Sequence, residues 1–455
     1  MGIHAWRQTQ TMTVVENFAF EDMQILNPRI NSRGDGNGIF RMEFPLMQWV
    51  FAWFYKWFGA DLTIARVLSF LIYLVSVIGF YRLLRTYKQT QQISSLGAWC
   101  FAWSPVMYYY AVNPLPDNLA LCFTVWSLGF LKGHEKSGSS RSLAGFGIFL
   151  SLAAAVKLPY IIFGVGYIPT FVRLLKVSRF NRAIKHAGIV LLNLSPAIAW
   201  YAWVIPQWTN TALIGGIGAE SKFDYQSALS NMWGVFHSML PELLVNYGSV
   251  IFLLAGIIVL VLSLGKLTQY LGELLMFVVV VAYYLYEVNM IGLAHDYYLF
   301  PFLPLLFLII TSGVKYILNH DNSVVKSIGY LALIILPLTA SLRATDRWRP
   351  MGMEKELLAH KEELRSIIPN GALVVAGNDA STHIVLYHIG QKGWTFEQDW
   401  LSAEDLELFI SNGAKYLYSN SATVDSDPTV VQFLEDPVFD KDGIKVYPLK
   451  SLSDS

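Results

Sequence analysis

The sequence predicts an α-helical, polytopic membrane protein that carries a small soluble α/β domain near its C-terminal end. Hydrophobic residues make up 54% of the chain and charged residues 15%, whereas soluble domains carry roughly 25% charged residues. Ten apolar segments, several of them short, recur between about residues 61 and 343. From about residue 346 they give way to a charged helical pattern and short strand-like runs.

The ten apolar segments are predicted transmembrane spans, since a straight helix needs about 20 residues to cross the hydrocarbon core. We place them at residues 61–82, 93–111, 117–131, 143–157, 159–175, 184–204, 248–265, 271–287, 297–315 and 325–343. Proline interrupts a helix, so Pro159 is predicted to separate the fourth span from the fifth.

Basic residues concentrate in alternate loops, at residues 82–88, 132–141, 173–185, 266 and 315–326. By the positive-inside rule these loops are cytoplasmic. The other loops are then predicted on the outer face, and the chain divides into three parts. These are a first external loop with interfacial helices (1–60), a transmembrane helical domain (61–345) and an extracytoplasmic α/β domain (346–455).

The first external loop raises a topological question, because no apolar segment ahead of it brings it across the membrane. We expect that a first transmembrane helix has been lost from this chain. A short tail that crosses the membrane unaided is the alternative. Residues 44–58 are rich in aromatic side chains, which favour the membrane interface, and are predicted to form an interfacial helix. The region 206–247 is a second candidate for such a helix.

The C-terminal region is predicted to alternate between helices and strands. The predicted helices cover residues 353–368, 401–413 and 430–437, and the predicted strands cover 372–377, 382–389, 415–420 and 444–449. No glycine-rich phosphate loop is present. On a strand, His383 and His388 would point to opposite faces, so they are not expected to form a metal pair.

Polar residues on the predicted outer face are the candidate functional residues. In the first loop, arginine suits bidentate phosphate contact and a carboxylate suits proton abstraction from a hydroxyl. If residues 3–18 are helical, His4, Arg7 and Thr11 share one face. The alternative is a solvated loop whose charges need no explanation.

Three further positions on this face combine polar groups with helix ends. Asp117 is either a helix-terminal acid or a group that also faces the site. Lys157 either snorkels to the surface or binds an anion such as phosphate. His295 and Asp296 stand next to interfacial tyrosines, and no spacing specifies a metal site there.

The order of these motifs resembles the GT-C superfamily of integral-membrane glycosyltransferases. It is closest to bacterial family 39-like enzymes, relatives of protein O-mannosyltransferases and lipid A aminoarabinose transferases. The motifs are H-x-W-R-Q-x-x-T (4–11), R-M-E-F-P-L (41–46), P-D-N (116–118), K-L-P (157–159) and H-D-Y-Y-L-F-P-F-L-P (295–304). The resemblance covers most of the membrane region and implies a GT-C-like fold.

The resemblance also implies an activity. Such enzymes transfer a sugar, with inversion, from a polyprenyl-phosphate carrier to a hydroxyl of a lipid, glycan or protein on the non-cytoplasmic face. Glu43 matches the later of two acids in the family's first loop. The early acid has no clean match: His4 and Gln8 lie near its position and Glu16 lies further along.

We therefore expect Glu43 to be the base. His4 would share this role or orient the Glu43 carboxylate. Arg7 and Lys157 would neutralise the leaving phosphate. The remaining predicted substrate-binding residues are Gln8, Asp117, His295, Asp296 and Tyr297.

The expected partners are a polyprenyl-phosphate-linked sugar, a lipid, glycan or protein acceptor, and membrane lipids. The formal net charge of zero gives no basic field for nucleic acid. No cofactor is expected, and a divalent metal stays open. The expected location is a bacterial inner membrane, with the site on the periplasmic face.

Two other function classes are alternatives to transfer. A transporter or flippase concentrates ionisable residues within its spans, and the spans here carry few. A lipid-linked glycan polymerase or ligase is expected to have its main site in one large late loop, whereas the polar residues here concentrate in the first loop.

Overall fold

The computed structural model describes residues 4–177, 179–208, 225–293, 295–350 and 352–450. The chain forms two compact units. The sheet unit consists of the described parts of Met1–Arg41, Gln48–Ile64 and Trp348–Ser455. The helical unit consists of the described parts of Met42–Met47 and Ala65–Arg347.

Helices dominate the described chain. They are α1 (Ala5–Phe20), α2 (Leu46–Phe58), α3 (Leu62–Thr86), α4 (Gln91–Ala102), α5 (Pro105–Tyr110), α6 (Pro116–Ser137), α7 (Ser140–Val156), α8 (Ile168–Lys176), α9 (Phe180–Val204), α10 (Tyr225–Gly234), α11 (Tyr247–Leu262), α12 (Leu271–Leu293), α13 (Leu303–Leu318), α14 (Ser323–Ala344), α15 (Glu354–Ala359), α16 (Lys361–Ser366), α17 (Ile384–Ile389), α18 (Ala403–Ser411), α19 (Ala422–Ser426) and α20 (Pro428–Val431). Tight 3₁₀ segments precede α8 (Leu158–Tyr167) and α13 (Asp296–Phe302), and a π-helical segment (Val235–Leu244) follows α10.

All ten predicted apolar segments are helical, but fewer of them qualify as spans. Within the described residues, six helical stretches are long and apolar enough to cross a membrane, and a bent pair of helices gives a seventh. The six are Leu62–Thr86, Leu158–Lys176, Phe180–Gln207, Thr268–Val288, Asp296–Leu318 and Ser323–Trp348. By length and composition, six of the ten predicted segments therefore qualify as full spans among the described residues, and a seventh belongs to the bent pair.

Helix length explains part of the difference. Helix α4 has 12 residues, about 18 Å at the rise of an α-helix, against a hydrocarbon core of about 30 Å. Helix α7 has 17 residues and is apolar but short. The bent pair, Tyr225–Leu244 and Tyr247–Leu262, turns by 110° at its break.

Glycines allow α11 and α13 to approach closely. A Cβ built on Gly313 would lie 1.8 Å from the carbonyl oxygen of Phe252, and one on Gly256 would lie 2.1 Å from that of Ile309. Both neighbouring atoms belong to backbone, which cannot move aside as a side chain can. Small residues at such contacts are a common means of packing membrane helices.

Replacing Gly313 by alanine is expected to separate these helices and to destabilise the helical unit by about 1–3 kcal/mol, the usual cost of overpacking. The measurement is the apparent unfolding temperature of the full chain in detergent. Gly188→Ala on α9 is the matched control, since a Cβ there meets nothing within 4 Å. Equal unfolding temperatures for the two variants would contradict the close packing.

The sheet unit contains five strands in the order β2-β1-β3-β5-β4. They are β1 (Leu373–Gly377), β2 (Lys392–Thr395), β3 (Ala414–Ser419), β4 (Phe439–Lys441) and β5 (Ile444–Pro448). Strands β2, β1 and β3 are parallel, while β5 and β4 continue the sheet antiparallel. The predicted C-terminal α/β fold is thus confirmed, and β2 and β4 are strands that the sequence pattern did not predict.

The sheet has a hydrophobic core on each face. Val374 and Ala376 of β1 pack with residues of α15, α16 and α17. Val375, between them, packs on the other face with residues of α18 and α20. The alternation follows from the pleat of a strand, in which successive side chains point to opposite faces.

Residues 382–389 are not the predicted strand. Ile384–Ile389 form α17, and five of its six residues are buried. A short apolar run does not distinguish a buried strand from a buried helix. The carboxylate of Asp379, which accepts hydrogen bonds from the amides of Ser381 and Val385 at 2.9 Å each, holds the first turn in helical form. His383 therefore precedes a helix and His388 lies within it.

The predicted helix at 430–437 is also only partly present. Residues Pro428–Val431 are helical, and Leu434 then forms an isolated bridge with Leu449. In contrast, the predicted helix at 401–413 is confirmed as α18. The predicted helix at 353–368 is divided into α15 and α16 at His360.

The segment before Arg41 is part of the sheet unit. Ser32 forms a parallel bridge with Gly393 of β2, and the amide of Arg33 donates to the Gly393 carbonyl at 3.0 Å. The guanidinium of Arg33 pairs with the carboxylate of Glu21 at 2.5 Å, and Glu21 also pairs with Lys392. Residues 44–58, predicted to be helical, include α2, where Trp57 is 63% exposed.

The buried imidazole of His383 makes the sheet unit sensitive to acid. Burial, assisted by the positive charge of Arg7, lowers the pKa of His383 to about 4, against about 6.5 in an unfolded chain. Between these values the unfolded chain binds more protons than the folded one, so stability falls as the pH falls. The loss is about 3 kcal/mol at most.

His383→Gln is expected to remove this contribution. The fall in apparent unfolding temperature between pH 7 and pH 4.5, followed by intrinsic tryptophan fluorescence of the full chain, should become smaller by several degrees. His237→Gln, which alters an exposed imidazole, is the control. An unchanged pH dependence in His383→Gln would contradict the assignment.

Candidate functional site

The break after α7 organises the helical unit around Lys157. In a continuous α-helix the carbonyl of Ala155 would accept from the amide of residue 159, but proline has no N–H. The Ala155 carbonyl instead accepts from the amide of Phe44 at 2.9 Å and from the hydroxyl of Tyr201 at 3.0 Å. The helix break predicted at Pro159 is confirmed.

These contacts place Glu43 beside the break, because it precedes Phe44 in the chain. The indole of Trp200 donates to the Met42 carbonyl at 3.1 Å, and its ring meets that of Phe44 edge to face at 5.1 Å. The backbone on both sides of Glu43 is therefore fixed to α7 and α9. Glu43, a partly buried residue, thus directly precedes Phe44, whose amide binds the carbonyl of Ala155, two residues before Lys157.

Lys157 itself is enclosed by acidic and aromatic groups. Its ammonium lies 3.5 Å from Oδ1 of Asp117, and the side chain is 14% exposed. It also lies over the rings of Tyr297, at 5.7 Å, and Tyr298, at 4.9 Å, where the faces of the rings attract a cation. This enclosure argues against a snorkelling lysine. Asp117 lies in the first turn of α6, as the local alternative predicted, and also faces Lys157.

The 3₁₀ segment Asp296–Phe302 carries the other side of this cluster. The hydroxyl of Tyr297 lies 3.0 Å from Nδ1 of His295. Asp296 accepts a hydrogen bond from the hydroxyl of Tyr110 at 2.8 Å through one oxygen and pairs with Arg347 through the other. Asp296 therefore holds the segment in place. Its predicted contact with substrate stays a prediction.

Three residues that interact with Lys157 or Asp296 were not predicted from the sequence. Arg347 falls within the predicted soluble domain, but it belongs to the helical unit and is buried there. Tyr110 lies in an aromatic run that gave no sign of a polar role. Glu287 of α12, which interacts electrostatically with Lys157, could have been found, since an acid inside a span is a functional signal.

The remaining predicted site residues lie in α1 or at its start, within the sheet unit. His4 directly precedes the helix, with a left-handed φ of 63°. The guanidinium of Arg7 donates to the side chain of Gln10, and Gln8 is 1% exposed. Burial raises the pKa of Glu16, while the charges of Arg365 and Lys392 oppose this shift. The predicted roles of His4, Arg7 and Gln8 stay predictions.

The described residues contain no group of three or more histidine, cysteine, aspartate or glutamate side chains arranged to hold a metal ion. His295 and Asp296 accordingly have no third ligand of these types among the described residues.

Removing one partner of the buried Asp296–Arg347 pair should be costly, because the other charge is left uncompensated. Arg347→Met is expected to destabilise the helical unit by about 3–5 kcal/mol, measured as a lower apparent unfolding temperature in detergent. Arg343→Met is the control. It breaks the pair with Glu242, where the arginine side chain is 33% exposed, and a more exposed pair contributes about 0–1 kcal/mol. Similar losses in both variants would contradict the special role of Arg347.

Comparison with known proteins relates this arrangement to a family. Residues 43–203, which include Glu43, Asp117 and Lys157, match the family model of dolichyl-phosphate-mannose-protein mannosyltransferases. No curated protein matches the sequence significantly.

The fold is similar to that of ArnT from Cupriavidus metallidurans. Its crystal structure in the apo state is 10% identical in sequence, with a TM-score of 0.62, and the match covers 98% of this chain and 93% of that chain. Its structure bound to undecaprenyl phosphate is 11% identical, with a TM-score of 0.62, and the match covers 97% of this chain and 93% of that chain. The predicted fold class is confirmed.

The chain is thus an integral membrane protein. Its resemblance to the GT-C superfamily of membrane glycosyltransferases is confirmed by a family model over part of the sequence and by the fold over nearly all of the chain.

Proposed function

We propose that this protein is a membrane glycosyltransferase that moves a sugar from a polyprenyl-phosphate carrier to a hydroxyl group of a lipid, glycan or protein. The observation that carries the proposal is the polar cluster around Lys157. A lysine ammonium, an acid and two tyrosine rings meet there, beside the backbone segment that bears Glu43. The match of residues 43–203 to a glycosyltransferase family supports the same activity.

Lys157 is the group that binds the phosphate. A phosphate leaving group carries negative charge and needs a cation more than it needs a proton donor. The low exposure of Lys157 strengthens its attraction for an anion, because charges interact more strongly away from water. The similar structure bound to undecaprenyl phosphate supports a polyprenyl phosphate as the carrier.

Glu43 is the base. The acceptor hydroxyl attacks the anomeric carbon of the sugar and gives its proton to the Glu43 carboxylate. The bond between that carbon and the phosphate oxygen breaks, and the electron pair leaves with the polyprenyl phosphate beside Lys157. One displacement inverts the anomeric configuration. Tyr297 and His295, hydrogen-bonded to each other, can donate to the phosphate or the sugar.

The other assigned roles complete this proposal. Asp117 fixes the position of the Lys157 ammonium, and Asp296 anchors the segment that bears Tyr297. On the resemblance of the H-x-W-R-Q motif, Arg7 and Gln8 are assigned to substrate binding, and His4 is assigned to share the base role of Glu43 or to orient its carboxylate. The basic loops at 82–88, 132–141 and 173–185 favour a site on the periplasmic face of a bacterial inner membrane.

Glu43→Gln is expected to leave the protein folded and to reduce transfer by about 10²–10⁴-fold, the usual contribution of a general base. The measurement is mass analysis of envelope glycans from a gene-deletion strain that carries either the wild-type or the variant gene. The wild-type gene should restore a sugar that is missing in the deletion strain, and the variant should not. Because the comparison is between strains, the mass difference gives the mass of the transferred sugar residue and so its class, such as hexose or pentose.

One control variant and one further test variant accompany Glu43→Gln. Glu404→Gln alters an exposed acid of α18 and should restore the sugar fully. Lys157→Met should fail to restore it and should leave the lipid-linked donor to accumulate. Full restoration by Glu43→Gln would remove Glu43 from the chemistry, and an unchanged glycan in the deletion strain would refute the transferase itself.

A further inference from the structure

A second group of polar side chains lies in the sheet unit, at the end of its parallel strands. The connection that leaves β1 runs through α17, and the one that leaves β3 runs through α19 and α20, which pack on the opposite face of the sheet. The carboxyl ends of β1 and β3 therefore lie at a point where the chain direction across the sheet reverses. Open α/β sheets bind ligands in the crevice outside such a point.

Polar side chains occupy this edge. Asn378 follows β1 directly, and Asn420 follows β3. The amide of Asn378 donates to the side-chain oxygen of Asn420, and the Asn420 amide donates to the Gly377 carbonyl at 3.1 Å. The side-chain amide of Asn378 donates to Asp399 at 2.8 Å. Two amide side chains and a carboxylate thus form one connected surface.

An exposed tryptophan stands beside this surface on a tight turn. The amide of Trp400 donates to the Glu397 carbonyl at 3.2 Å, and the two central residues, Gln398 and Asp399, have φ of 57° and 52°. Positive φ at both positions is unusual for residues other than glycine. Strain of this kind clusters at functional sites.

The turn is anchored, so the exposure of its tryptophan does not come from a loose loop. Phe396 and Leu401, on either side of the turn, are buried in the same hydrophobic core. The Phe396 carbonyl accepts from the amide of Asp379 at 2.9 Å, and its amide donates to the Ala376 carbonyl at 3.2 Å. Between these anchors the Trp400 side chain is 66% exposed.

We propose that Trp400, Asp399, Asn378 and Asn420 form a carbohydrate-binding subsite. The flat face of an aromatic ring can pack against the C–H face of a pyranose. The adjoining carboxylate and amides can exchange hydrogen bonds with its hydroxyl groups, since they include both donors and acceptors. One apolar surface with a few convergent polar groups is the general form of a small-ligand site. The ligand is a sugar ring presented by an oligosaccharide, a glycolipid or a glycopeptide.

The same features argue against a bilayer as the occupant. Tryptophan is common at membrane interfaces, but Glu397 and Asp399 flank this one and are exposed. Two carboxylates are repelled by anionic headgroups and would be costly to bury in a membrane.

This subsite is distinct from the Lys157 cluster, and the experiment measures glycan binding and not sugar transfer. The full chain in detergent is applied to an array of oligosaccharides, glycolipids and glycopeptides. Wild type should bind a subset of these glycans. Trp400→Ala and Asp399→Ala should weaken that binding by at least about tenfold, while Trp400→Phe should retain it. Trp57→Ala, which removes another exposed indole, should bind as wild type does. The three kinds of probe distinguish the source of the sugar.

Several outcomes would overturn the proposal. These are no binding by wild type, equal binding by wild type and Trp400→Ala, or loss of binding in the Trp57→Ala control. A lipid contact has its own readout, because brominated lipids quench tryptophan fluorescence. If quenching in nanodiscs falls when Trp400 is replaced by phenylalanine, the ring lies in the bilayer and the subsite assignment is wrong.

Discussion

A single carbonyl oxygen connects the elements around Lys157. Pro159 cannot supply the amide that the Ala155 carbonyl would otherwise bind, so this oxygen is left to accept from Phe44 and Tyr201. A buried carbonyl without a partner would cost several kcal/mol in an apolar environment. The break in the helix is therefore what fixes the Glu43 segment beside α7. The same break leaves Lys157 in extended backbone, with φ of −153°, at the boundary between two helical segments.

Charge compensation is the second constraint on the helical unit. Asp117 with Lys157, Asp296 with Arg347, and Glu273 with Lys132 each bring opposite charges together where little water reaches. Such pairs add little net stability compared with apolar residues of the same size, but they tolerate the loss of one partner poorly. The main effect of these pairs is to fix the positions of the elements that they join. Two of the three pairs hold the helix ends that surround the candidate site.

The sequence predicted the features that depend on composition and local pattern. The apolar helices, the interruption at Pro159, the first-turn position of Asp117 and the C-terminal α/β domain all follow from such patterns. The sequence did not predict which distant residues meet. Nothing near Arg347 in sequence indicates its pairing with Asp296, and the run at 382–389 required the cap provided by Asp379 before a helix could be distinguished from a strand.

The composition of the sheet unit has a consequence for the order in which the chain can fold. Helix α1 contacts α17, residues 32 and 33 bind β2, and the pair between Glu21 and Lys392 joins residues 371 positions apart. During synthesis these early residues must wait until nearly the whole chain has been made before their partners exist. Closure of so long a loop is entropically unfavourable and slow. The sheet unit can therefore be completed only when synthesis is nearly finished, and until then α1 lacks the partners that it contacts in the folded chain.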